Sequence, residues 1–130
     1  MNLITYITNY EGSKKIKFLN EILTSLEDID VKYHKVKIFT TDDIQVNSNI
    51  LDIEIIKGKR KFSNSKFSKP WQPEPNFIWL HRKHLIVDQD EYDVFCHLED
   101  DIKLTKENFN SFLKENEKLP NNKVIGFLVY

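Results

Sequence analysis

Residues 2–39, "NLITYITNYEGSKKIKFLNEILTSLEDIDVKYHKVKIF", change hydrophobic period twice. Asn2–Thr8 is β-branched and aromatic and runs into the turn-like "NYEG", so it reads as a strand. From Ser13 to about Asp28, Ile16, Leu19, Ile22, Leu23 and Leu26 recur at helical spacing, one face of an amphipathic helix with Ser13 as N-cap. Val31–Phe39 then alternates, most clearly at Val36 and Ile38, as a second strand does. Strand, helix and strand in this order are the opening of an α/β fold, because parallel neighbours need a crossover between them.

The remainder extends the pattern. "TTDD" at 40–43 reads as a turn, with Asp42 and Asp43 as turn or cap residues. Asn49–Ile56 is a third strand. Lys57–Pro75 holds six basic residues and no acid until Glu74, with Phe62, Phe67 and Trp71 interleaved and prolines near its end. That composition is a surface loop. Solvation is its plainest use. Segment 57–71 also has the make-up of a nucleic-acid or polyanion contact, which a non-catalytic binding module would use, or it faces the anionic part of a ligand. Asn76–Val87 places Phe77, Leu80 and Leu85 on helical spacing. Tyr92–Leu98 is a nearly continuous apolar run, as in a central strand covered on both faces. Thr105 caps a helix carrying Phe109, Phe112 and Leu113, and Lys123–Tyr130 is a last strand. The expected fold is a single α/β domain over 1–130, a Rossmann-like, mostly parallel sheet with flanking helices.

Composition narrows the function classes. A chain of 130 residues with 40% hydrophobic and 30% charged residues has the balance of a globular domain. Its net charge of −1 supplies no global field toward nucleic acid or anionic membrane, so nucleic acid is not an expected partner. Cys96 is the single cysteine and lies in an apolar run, which reads as a structural thiol and excludes a disulfide framework. The start is too polar for a signal peptide and no stretch reaches membrane-spanning length, so a cytoplasmic chain is expected. Three glycines, Gly12, Gly58 and Gly126, are too few and too scattered for a P-loop or a GxGxxG fingerprint.

The chemistry concentrates at Glu99, Asp100 and Asp101, which follow the apolar run directly. In parallel α/β sheets ligands bind at the carboxyl ends of strands. Side chains alternate along an extended segment, so Glu99 and Asp101 are expected on one side and Asp100 on the other. Carboxylate oxygens favour hard cations, Mg²⁺ or Mn²⁺, which complete their shells with water and substrate phosphates. The plain alternative is an acidic turn ahead of a helix, favoured by its dipole, although the cap at Thr105 comes several residues later. His81 and His84, with His97 before the acids, also allow a histidine–carboxylate zinc site, without any HExxH pattern.

"YDVFCHLEDDIKLTKENFNSFL", preceded by "LHR", resembles the DXD-type segment of the GT-A fold glycosyltransferases. The opening β-α-β is similar to that family's nucleotide-binding half, and "VIGFLVY" to the strand after its acidic motif. The resemblance implies a GT-A nucleotide-diphospho-sugar transferase fold. It implies transfer of a sugar from a nucleotide-sugar donor to an acceptor hydroxyl of a glycan, protein or lipid, with Mn²⁺ or Mg²⁺ at the motif. By the same resemblance Asp101 is the metal ligand, Glu99 and Asp100 contact the ribose or metal-bound water, and Arg82 lies near the phosphates. Thr8, Asn9 and Tyr10 occupy the loop that cradles the base. Family members continue into a second half that supplies the acceptor site. Here that half is expected from a longer chain, a partner or an oligomer, or else the chain is a degenerate member.

Overall fold

The computed structural model of the chain describes residues 1–10, 12–58 and 80–120. Strand β1 (Asn2–Asn9) lies inside a four-stranded sheet, between β2 (Tyr33–Thr40) and the later strand β4 (Val94–Glu99). Strand β3 (Asp52–Lys57) pairs outside β2, giving the order β3-β2-β1-β4 with every pairing parallel. All of β1 after Asn2 is buried, because helices cover both faces of the sheet. The result is an α/β, Rossmann-like arrangement.

Alternation along the strands sorts the core into two layers. Leu3 and Ile7 of β1, Val36 and Ile38 of β2 and Leu98 of β4 face helices α1 (Ile16–Glu27) and α3 (Lys106–Glu117). Leu19, Ile22, Leu23 and Leu26 of α1 and Phe109 of α3 close that layer. Each of these α1 residues is at most 3% exposed, and each contributes about 2 kcal/mol through burial. On the opposite face Ile4, Tyr6 and Phe39 meet Leu80, the first residue of α2 (Leu80–Asp88).

A buried ionic clasp holds the far end of α2. Lys37 of β2 donates to both oxygens of Asp88, at 2.9 and 2.7 Å, and the Tyr6 hydroxyl donates to Asp88 at 2.9 Å. Burial and this carboxylate push the Tyr6 phenol well above its usual range. The clasp is deep, with Asp88 5% and Lys37 8% exposed.

Several sequence expectations shift. Helix α1 begins at Ile16, after a 3₁₀ turn over Gly12–Lys15, and its N-cap is Lys15 rather than Ser13. Thr105 does cap α3: its hydroxyl accepts from the Asn108 amide at 3.2 Å while the Asn108 side chain accepts from the Thr105 amide at 3.4 Å. The parallel strands β2 and β3 are joined without a helix. Ile44, Val46 and Leu51 of the connecting segment pack against the α1-side core, as a crossover helix would. Strand β4 is half-buried rather than covered on both faces, and among the described residues it forms the margin of the sheet. The helix start at 76–79, residues 59–75 of the basic–aromatic loop and the strand at 123–130 lie outside the described residues. No helix among the described residues is long and apolar enough to cross a membrane.

Candidate functional site

Order β3-β2-β1-β4 creates a switch point. From β1 the chain moves to β2 and β3 on one side, and β4 joins on the other. Loops leaving β1 and β4 both lead to helices of the α1-side layer, and they run side by side at the carboxyl ends of the strands, where α/β folds take ligands. Thr8 of β1 lies opposite Glu99 of β4 in the register. That pairing brings Thr8, Asn9 and Tyr10 alongside Glu99, Asp100 and Asp101, six of the seven residues singled out by sequence.

The three carboxylates do different things. Glu99 ends β4 and is exposed, and Asp101 is exposed in the turn that follows. Asp100 is 1% exposed. One of its oxygens accepts from the Tyr10 backbone N–H at 3.1 Å and the other from the Lys15 ammonium at 3.3 Å. The expected alternation is thus present, with Asp100 turned into the protein. Tyr10 is half-buried and its phenol is raised above its usual pKa, first by burial and then by the charges of Glu99, Asp100 and Asp101. This places the ring within electrostatic reach of the whole acidic turn.

The β1 residues are more enclosed than a ligand-cradling loop requires. Thr8 is 1% exposed, and its hydroxyl is 3.0 Å from Nε2 of His97. Asn9 is fully buried; its side-chain oxygen accepts from the Thr40 hydroxyl at 3.1 Å, while its amide nitrogen has no partner among the described residues. Tyr10 is the half-buried member of this trio and packs against the Ile4, Tyr6 and Phe39 cluster. Arg82 is exposed on the first turn of α2. That turn stands against the carboxyl half of β4, because His81 stacks on His97 with ring centroids 3.8 Å apart.

The three histidines named from the sequence do not gather at one point in this structure. His84 meets Phe39 edge-on at 5.1 Å and lies 3.4 Å from the Lys37 ammonium, away from the His81–His97 stack. Among the described residues no three His, Cys, Asp or Glu side chains converge on one point. Burial of its ring, and then the charge of His81, lower the His97 pKa. Cys96 is half-buried against the α1-side core and burial pushes its thiol up to about 11, the behaviour of a structural thiol. A separate cleft of about 320 Å³, lined by Thr24, Asp28, Lys103 and Lys106 among others, shares no residue with the acidic turn.

The donor set fits a hard cation of the kind the acidic motif implies. Two exposed carboxylates leave most of a coordination shell to water and ligand oxygens, as Mg²⁺ and Mn²⁺ prefer. Lys15 had no signal in the sequence: it is one lysine among several after β1, and its partner is 85 residues away. No protein-family model, characterised protein or solved structure matches the chain.

Proposed function

We propose that the chain is the nucleotide-sugar-binding unit of a metal-dependent glycosyltransferase of the GT-A kind. The observation that carries this reading is the meeting of Tyr10, Glu99 and Asp101 at the switch point between β1 and β4. A parallel sheet with a half-buried aromatic ring beside two outward carboxylates suits a ligand with a flat base and a cation-bridged diphosphate. The β-α-β opening and the "YDVFCHLEDDI" motif support the same reading from sequence.

Asp101 would be the metal ligand, with Glu99 beside it, and a divalent cation held there offsets charge on a departing diphosphate. The chain's own residues supply the rest. Tyr10 offers a ring face toward the base, and Arg82, on the α2 turn stacked against β4, offers a guanidinium for phosphate oxygens. The Thr8–His97–His81 contacts hold that turn in place, so the cation and the acids keep a fixed relation. The donor's sugar would then face an acceptor whose hydroxyl attacks the anomeric carbon as the bond to the diphosphate breaks and the diphosphate leaves.

Calorimetric titration with UDP, GDP and their sugars, with and without Mn²⁺, tests this directly. Binding should require the metal and fall more than about tenfold in Asp101→Ala. No metal-dependent heat with any of these ligands would overturn the reading.

A further inference from the structure

Three adjacent acids at the carboxyl end of a strand invite the view that all three face a ligand. Asp100 does not. Its oxygens are committed to the Tyr10 amide at 3.1 Å and the Lys15 ammonium at 3.3 Å, and 1% of its surface remains. Each of its oxygens keeps a second lone pair, but at 1% exposure neither is open to a cation outside, whereas Glu99 and Asp101 on either side are exposed.

The partners of Asp100 explain what it does instead. Tyr10 is the first residue beyond β1, where the strand ladder to β4 has ended at Thr8 and Glu99. There its amide donates to an Asp100 oxygen. Lys15 closes the 3₁₀ turn and caps α1 without any side-chain cap bond. The other end of that turn, Gly12, adopts φ +43° and lies so close to Asp42 that a Cβ would sit 2.1 Å from its carboxylate. Tyr10 and Lys15, on either side of Gly12, are thus both held by Asp100, and Gly12 lies against Asp42 of the β2 loop.

We propose that Asp100 is a positioning residue of the candidate site: by bridging the Tyr10 amide and the Lys15 ammonium it fixes the Tyr10 ring relative to Glu99 and Asp101. This rests on the nucleotide reading above and refines it. Nucleotide affinity depends on Lys15, which need not touch the ligand, and the cation is held without Asp100. The acidic motif has two ligand-facing members and one brace.

Three variants test this: Asp100→Asn, Lys15→Met and Asp100→Ala. Amide exchange of Tyr10 is measured in the unliganded protein, and calorimetry follows Mn²⁺ with UDP or GDP. Asp100→Asn keeps an oxygen for the Tyr10 amide and should preserve its protection, whereas Asp100→Ala should speed its exchange about tenfold. Asp100→Asn and Lys15→Met should each raise the nucleotide Kd about tenfold, with no further loss in the double variant, since both break one ion pair. The Mn²⁺ half-saturation at saturating nucleotide should not move in either.

If Asp100 ligates the cation, Asp100→Asn raises the Mn²⁺ half-saturation while Lys15→Met leaves nucleotide binding unchanged, which overturns the proposal. Unchanged Tyr10 exchange in Asp100→Ala overturns it too, whether or not any nucleotide binds. If that variant does not fold, Asp100→Asn and Lys15→Met still decide between brace and ligand. A wild-type chain that binds no nucleotide defeats the nucleotide reading itself, and the exchange data then still separate a braced Tyr10 from an unbraced one.

Discussion

Gly12 and His34 are each held by contacts that neighbouring sequence does not announce. Gly12 occupies the left-handed region at φ +43°, and a Cβ there would meet Asp42 Oδ2 at 2.1 Å and Cβ at 2.2 Å. Gly12→Ala should therefore lower stability by about 2 kcal/mol, read as a lower urea midpoint with an unchanged slope. His34 is 4% exposed and its Nε2 lies 2.9 Å from the Thr5 hydroxyl. Burial lowers its pKa from 6.5 to about 4. Between these values the unfolded chain binds a proton that the folded protein refuses, so stability rises with pH across that window. His34 contributes its full share above pH 6.5 and loses it as pH falls toward 4, about 3 kcal/mol in all. Urea unfolding at pH 7.5 and 4.5 checks this: the difference should shrink in His34→Gln. An unchanged difference would assign the acid sensitivity to other groups.

At the scale of elements, α2 is the informative case. Only Asp88 of its residues is fully buried, while Ile86 and Val87 are 66% and 75% exposed. Hydrophobic burial alone is thus a thin reason for α2 to stay on the sheet. The Lys37–Asp88–Tyr6 clasp at one end and the His81–His97 stack at the other supply the fixed points. Asp88→Ala would leave the Lys37 ammonium buried without its partner. It should cost about 3–5 kcal/mol, measured by chemical denaturation. Replacing both members, Lys37→Met with Asp88→Leu, should recover much of that loss, because two apolar groups leave no unpaired charge. The sequence shows Asp88 only as one acid in "VDQDEYD"; its pairing with Lys37 spans 51 residues and is a product of packing. By contrast, the Thr105 cap and the α1 stripe were legible, since caps and helical stripes act within a few residues.

For the molecule as a whole, the strand order places chemistry. The acidic turn counts as a candidate site because β4 returns beside β1, opposite β2, and sets Glu99 next to Thr8. A metal-bridged nucleotide and a polyanion held by the basic segment 57–71 respond differently to salt. Nucleotide binding should require Mn²⁺ and change modestly between 50 and 200 mM salt, whereas polyanion binding weakens steeply over about that range without needing metal. Fluorescence or calorimetric titration at both salt levels, with and without chelator, separates them. A metal-independent, steeply salt-dependent affinity would favour the binding module.

The sequence by itself determined the α/β class, the approximate place of each described strand and helix, and the position of three acids at the end of a strand. Those features depend on local periodicity, capping and side-chain alternation, which act between near neighbours. Tertiary structure alone decided the order of the strands, the helix-free crossover from β2 to β3 and the partners that hold the inward acid, Asp100. Asp100 differs from Glu99 and Asp101 because Tyr10 and Lys15 arrive beside it, 90 and 85 residues away in sequence. Such pairings are set by the packing of the sheet and helices, and no local pattern encodes them.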